Sequence, residues 1–229
     1  MNRTRSGLVG LGVAALLLGA AGQRLATQTA PPPRVALPAP RTEGEVSLEA
    51  AIQGRRSVRE FAPTPLTRQE IGQLAWAAQG ITDPAGRLRA APSAGALYPL
   101  ELYLATPDGL YHYLPEGHAL EVLADRDLRP AFQTAAGGQG TITSAPLVVL
   151  IAAVYERTAA RFGDQAERYV HLEAGHVAEN LLLQAVALGL AGVPIGGLRE
   201  AEASQALALP ADHQPLYIVA IGHRAGERD

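Results

Sequence analysis

An α+β fold is what this 229-residue sequence predicts, with helices and strands mixed out of regular alternation, and three observations carry it. The pattern from Glu167 to Leu190 is helical and is small and apolar around most of its circumference, which places it in a core. Leu147–Val154 is a continuous apolar run of the kind that forms a strand buried on both faces. Leu100–Thr106 and Leu110–Leu114 flank a Pro107-Asp108-Gly109 turn and read as a hairpin.

Taken in order, the chain opens with Arg3 and Arg5 ahead of the uncharged apolar run Gly7–Gly22, closed by small residues, which is the order of a signal peptide. The run has 16 residues, short of the roughly 20 that span a bilayer as a helix. Residues 1–22 are therefore expected to be a cleaved export signal, with an N-terminal membrane anchor as the alternative. Residues 23–45 hold Pro31, Pro32, Pro33, Pro38 and Pro40 and are expected to be an extended Pro-rich linker. A single domain over residues 46–226 follows. Its first helix starts at the N-cap Ser47 and runs through Gly54, and Thr67 with Glu70 forms the capping box of a second. Ile71, Leu74, Ala75 and Ala78 give that second helix an apolar face, and Gly80 stops it. After the hairpin and the buried strand, Gly192 and Pro194 are expected to end the long helix, and Leu216–Gly222 supplies a last strand. The sequence has no internal repeat.

Composition excludes several chemistries. The 19 basic residues are all arginine, so no lysine is present for Schiff-base or Walker-type chemistry. Cysteine is absent, which removes disulfides, thiolate nucleophiles and iron–sulfur clusters. A formal charge of −3 gives no footprint for nucleic acid or an anionic membrane surface. A membrane partner is expected only if the N-terminal segment is uncleaved.

The densest polar cluster is Arg55-Arg56-Ser57-Val58-Arg59, followed by Phe61, where the first helix ends. Guanidinium forks paired with a hydroxyl suit a phosphate dianion. The same arginines could instead serve the carboxyl end of the helix or form a solvated face.

Arg-Arg-Ser-x-Arg-x-Phe after a short helix resembles the opening phosphate-binding motif of the nitroreductase superfamily of flavoproteins, and the likeness extends from about Leu48 to Arg224. Pro92-Ser93-Ala94-Gly95-Ala96-Leu97-Tyr98-Pro99 looks like that family's Pro-Ser loop, and its Gly-Ala-Leu-Tyr-Pro ending resembles the SagB-type dehydrogenase branch. Pro194-Ile195-Gly196-Gly197-Leu198 resembles the loop whose N–H groups face flavin N5, and Gly222-His223-Arg224 the element that completes the phosphate site. The resemblance implies a nitroreductase-like FMN-binding fold with a mixed sheet and a long buried core helix.

It also implies a cofactor site made of Arg55, Arg56, Ser57 and Arg59, of Pro92, Ser93, Ala94 and Gly95, of Gly196 and Gly197, and of His223 and Arg224. The implied reaction is ping-pong: a reduced donor, with NAD(P)H as candidate, reduces FMN, and a small nitroaromatic- or quinone-like substrate is then reduced in the same pocket. A homodimer with shared flavin sites is implied, because the Pro-Ser loop acts across the subunit boundary in relatives. Rival readings are a flavin-dependent dehydrogenase with a non-nicotinamide donor, which export would favour, and a flavin-binding module without turnover.

Two departures from the family pattern matter. Tyr98 stands where classical members carry an amide, and it is a candidate catalytic hydrogen-bond or proton donor, a buried structural tyrosine being the other reading. The absence of lysine disfavours azoline oxidation by a Lys–Tyr pair. Gly175, Asn180 and Leu188-Gly189-Leu190 also fit the family pattern and are expected to serve packing. His171 and His176 superficially suggest a zinc helix, yet residues five apart diverge by about 140°, so no metal is expected. Gly7, Gly10 and Gly12 have partial nucleotide-loop spacing but lie inside the export signal.

Overall fold

The structure is a computed structural model and describes residues 31–226. Residues 1–22 and the start of the Pro-rich segment lie outside the described residues. From Pro32 onward the chain forms one compact unit.

Among the described residues, seven strands make one sheet in the order β1-β4-β3-β2-β5-β7-β6. They are β1 (Arg34–Ala36), β2 (Leu100–Thr106), β3 (Gly109–Leu114), β4 (Ala119–Ala124), β5 (Leu147–Ala153), β6 (Ala191–Ile195) and β7 (Gln214–Gly222). Every pairing between them is antiparallel. The sheet is therefore antiparallel where a mixed one was expected, and the parallel pairing between Ser57 and Gly192 is an isolated bridge outside the seven strands.

Strand β5 is buried at all seven positions, and its even and odd residues enter different cores. Leu147, Val149, Ile151 and Ala153 pack with Leu100, Leu102, Leu104, Val219 and Ile221 beneath the helices α2 (Arg68–Gln79) and α6 (Ala166–Ala187). Val148, Leu150 and Ala152 pack with Tyr103, Phe132, Ile142, Leu207 and Ile218 under α3 (Arg129–Ala135), α4 (Thr141–Ser144) and α7 (Glu200–Ala206). Two helical layers therefore enclose the sheet, as an apolar run with no polar face requires.

Helix starts follow the sequence closely. Ser47 caps α1 (Leu48–Gly54) through its hydroxyl, which accepts from the Ala50 N–H at 3.2 Å. Thr67 and Glu70 form the reciprocal capping box of α2.

The structure corrects the sequence reading in two places. The long helix ends at Ala187, not at Gly192 and Pro194, because Gly189 adopts a left-handed conformation with φ +73°. The Leu190 N–H then bonds to the Ala185 carbonyl at 2.8 Å and the Gly189 N–H to that of Val186 at 3.0 Å, a Schellman closure. Gly192 and Pro194 sit instead in β6, where an edge strand tolerates the missing proline N–H. The Pro-rich linker is shorter than expected, since Arg34–Ala36 adds to the sheet beside β4 and Leu37 is buried in the core. The Arg41 backbone further bonds to the buried Gln73 side chain at 2.8 and 3.0 Å.

Ile151, fully buried between the layers, is expected to cost about 2–5 kcal/mol when changed to alanine. Ile151→Ala should lower the urea midpoint accordingly, whereas Ile52→Ala, 58% exposed, should change it by less than about 0.5 kcal/mol.

Candidate functional site

The arginine segment after α1 is held in place by its backbone. Ser57 bridges Gly192 at the start of β6, and the Val58 N–H bonds to the Gly192 carbonyl at 3.1 Å. Phe61 bridges Arg224, the Ala62 N–H bonds to the His223 carbonyl at 2.9 Å, and the Ala225 N–H to that of Glu60 at 3.2 Å. Residues 57–62 are thus stitched between the start of β6 and the end of β7, which brings two distant sequence motifs together. Gly222 makes this possible. A Cβ there would fall 2.5 Å from the Pro146 ring and 3.1 Å from Phe61, so no larger residue fits the seam.

The side chains of the cluster divide. Arg56 donates to the Gln53 and Arg55 carbonyls at 2.8 and 2.7 Å, closing the end of α1 as a helix-end arginine does. Arg55 meets Glu179 of α6 at 3.8 Å, a loose pair. Ser57 and Arg59 are exposed, and among the described residues Arg59 makes no ion pair. The structure therefore brings Arg55, Ser57, Arg59, His223 and Arg224 to one end of the sheet and turns Arg56 to a local task.

Gly196 and Gly197 follow the other end of β6 and are exposed. A Cβ on Gly197 would meet nothing within 4 Å, and one on Gly196 only a Tyr217 ring carbon at 3.7 Å. The backbone there faces open space, with room for a flat ring to approach. Its continuation is anchored by Arg199, whose N–H bonds to the Ala135 carbonyl at 2.8 Å and whose guanidinium reaches the Thr134 carbonyl. The end of α3, followed by the glycines at 137, 138 and 140, is thereby set beside this loop. Sequence reading missed that neighbour, and the glycine cluster was its only signal.

The Pro92–Pro99 loop leads into β2 at the same end of the sheet as Gly196, since Leu100 pairs with Ala153 and Ala153 with Gln214. Its backbone and the Ser57–Gly192 bridge lie toward opposite ends of β5, about 20 Å apart along the strand direction. Pro92, Gly95 and Ala96 are exposed, while Ser93, Ala94 and Tyr98 are half-buried. Ala96 and Tyr98 take φ values of +55° and +47°, which cost about 1–3 kcal/mol each in non-glycine residues. The Ser93 hydroxyl oxygen accepts from the Tyr98 N–H at 2.9 Å and bonds to Glu173, so Ser93 shapes the loop from within. The Tyr98 hydroxyl accepts from the Arg89 N–H at 3.1 Å, and the Arg89 guanidinium lies 4.9 Å over its ring. Tyr98 thus keeps its hydroxyl proton for another partner.

Behind the loop lies a buried polar chain. Glu173 of α6 is 2% exposed. Its Oε1 accepts from Gln79 at 3.4 Å, and Gln79 accepts in turn from Arg89 at 3.3 Å. Burial pushes the Glu173 carboxyl above its ordinary value, against the pull of Ser93, Gln79 and Arg89. Beside it, His171 pairs with the Tyr155 hydroxyl and His176 with the Pro92 carbonyl, so the two histidines serve separate contacts. Asn180 donates to the Ala77 carbonyl at 2.9 Å and fastens α6 to α2.

Two hollows among the described residues lie apart from the arginine cluster, the Gly196-Gly197 backbone and the Pro92–Pro99 loop, the larger one reaching Asn180. The larger, about 780 Å³, runs between residues 41–48 and the helices α1, α2 and α6. The other, about 310 Å³, lies between β1, β3 and Pro65–Ile71.

The sequence profile described as Nitroreductase family matches residues 52–223. A Methanocaldococcus jannaschii protein named as a nitroreductase is 40% identical over 186 residues, 79% of this chain and 92% of that one. A crystal structure from Ralstonia eutropha JMP134, also named as a nitroreductase, superposes with a TM-score of 0.77 at 31% identity, over 87% of this chain and 96% of that one. The NADPH:FMN oxidoreductase of Vibrio harveyi, solved with NAD+, superposes at 0.59 with 25% identity, over 78% of this chain and 69% of the other.

Because folding raises the Glu173 carboxyl above its unfolded value, its contribution to stability is complete at low pH and is lost as pH rises through the folded value. Glu173→Gln, which cannot ionise, should therefore gain in Tm relative to the parent as pH rises above the ordinary carboxylate range. A Tm difference that stays flat as pH rises would contradict a titrating carboxyl.

Proposed function

From the premise that this chain belongs to the nitroreductase family, we propose that it is an exported FMN-dependent oxidoreductase of the SagB-type branch, reducing a small nitroaromatic- or quinone-like substrate. One observation carries the site assignment: residues 57–62 are stitched to Gly192 and to His223-Arg224, so that one end of β6 carries the arginines and the other the open Gly196-Gly197 backbone. From Gly192 to Gly196 is about 13 Å along the strand, the arrangement of an elongated ligand with an anionic tail and a flat head. FMN fits that description. Bound there, it would carry electrons between donor and substrate through N5, with NAD(P)H as donor.

The protein's own part is binding and orientation. Arg55, Arg59 and Arg224, with the Ser57 hydroxyl, would hold the phosphate through charge-assisted bonds. Gly196 and Gly197 would present N–H dipoles to the electron-rich edge of the ring. The half-buried Tyr98 hydroxyl would donate to bound substrate.

The Pro92–Pro99 loop shares an end of the sheet with Gly196 but enters β2, which β5 and β7 separate from β6 within one chain; this sideways separation supports completion of each site by the loop of a second copy. An exposed apolar face is consistent with this. Val46, Leu48 and Ile52, around α1, are 40–62% exposed, and Leu172 on α6 is 52% exposed. Export by residues 1–22 belongs to the same proposal, and it favours a donor other than NAD(P)H as the second reading.

Purified protein reconstituted with FMN and desalted should keep its visible flavin bands. Arg55→Ala/Arg59→Ala should bind FMN roughly a hundredfold more weakly, two charged hydrogen-bond partners being lost. A folded parent that retains no flavin would end the assignment. In sedimentation, Leu48→Glu/Ile52→Glu should shift a dimer toward monomer and lose flavin with it; retention of flavin by a monomer would refute the shared site.

A further inference from the structure

We propose that Arg157 is a positioning residue: its guanidinium clamps the Tyr98 carbonyl to the Glu101 carboxylate and so fixes the pose of the Pro92–Pro99 loop, a role in turnover that rests on the function proposed above. The loop has to be held. Ala96 and Tyr98 are both in the left-handed region, where a residue with a side chain persists only if its surroundings over-determine it.

The contacts made within the loop's own side of the fold leave one unit unfixed. Ser93 holds the Tyr98 N–H, and the Arg89 backbone holds the Tyr98 hydroxyl. The peptide unit between Tyr98 and Pro99 has no N–H, because proline follows. The Tyr98 carbonyl is therefore its only polar handle. Arg157 takes that handle, with Nη1 donating to the carbonyl at 3.1 Å.

The other prong, Nη2, lies 2.5 Å from Glu101 Oε1. Glu101 is itself fixed, since its Oε2 pairs with His112 Nε2 at 2.7 Å and His112 stacks on Tyr103 at 5.0 Å between ring centres. Burial works against the Glu101 charge, but the bonds to His112 and Arg157 outweigh it and hold the carboxyl below its ordinary value. The clamp is thus anchored on β2, three residues past Tyr98. Arg157 belongs to α5 (Tyr155–Phe162), whose approach is tied to the loop by the Val154 N–H to the Pro99 carbonyl at 2.8 Å. A planar fork can serve carbonyl and carboxylate together, whereas an ammonium is a single point charge. Arginine is required here for its shape as well as its charge.

The test compares Arg157→Lys, Arg157→Gln and Glu101→Gln in the FMN-loaded protein. Amide exchange across residues 92–99 is measured beside the rate at which benzoquinone reoxidises dithionite-reduced protein. Arg157→Lys keeps a cation opposite Glu101, so Tm should be nearly unchanged and FMN affinity should stay within about twofold of the parent. Its loop amides should nevertheless exchange faster, and reoxidation should slow by roughly ten- to a hundredfold, as misplaced site groups do. Arg157→Gln should lose at least as much, and adding Glu101→Gln to it should cost little more, because both remove one clamp. Unchanged loop exchange in both Arg157 variants would overturn the proposal, and so would faster exchange with an unaltered reoxidation rate. Failure of the parent to retain flavin would instead sink the function, while loop exchange still decides the clamp.

Discussion

The pairing of β5 with β7 is the constraint on which the rest of this structure depends. All seven residues of β5 are buried, and Ile218, Val219, Ala220 and Ile221 of β7 are wholly inaccessible. A pair of strands with no polar face can be stable only between two apolar layers. The helices α2 and α6 on one side, and α3, α4 and α7 on the other, meet that demand. Polar chemistry is thereby confined to the strand ends, the only places where the central chain emerges.

Both ends are used. At one, Gly222 leaves space for Phe61 and Pro146 to close over the end of β7, and residues 57–62 align against Gly192 and His223. At the other, Gly196 and Gly197 leave the sheet beside the end of α3, and the Pro92–Pro99 loop enters β2. Strand β6 joins the two ends and sits at the sheet edge, where a ligand can lie along it without breaking a ladder.

The loop shows how strain is maintained. Its left-handed Ala96 and Tyr98 are held by an inner chain of Ser93, Glu173, Gln79 and Arg89 and by an outer chain of Arg157, Glu101 and His112. Burying Glu173 costs free energy unless its oxygens are satisfied, and the donors it recruits come from both the loop and α2. A buried carboxyl group inside the α2–α6 layer thus couples loop shape to helix packing.

The sequence by itself determined the elements whose signals are local: the Ser47 cap, the Thr67–Glu70 box, the hairpin, the buried β5 run and the family motifs, all of which depend on residues a few positions apart. It left unread β1, β4 and β6, and it placed the end of α6 too late, because a strand of three to six residues is too short to show a period and a Schellman turn looks like any glycine pair. Only the tertiary structure decided that Arg56 caps its own helix while Arg55 and Arg59 remain at the seam, and that Arg157 and Glu101 grip Tyr98. Apart from the Arg56 cap, those contacts join residues about 50–170 positions apart, and a pairing of that kind is set by how the sheet brings strand ends together, which no local pattern encodes.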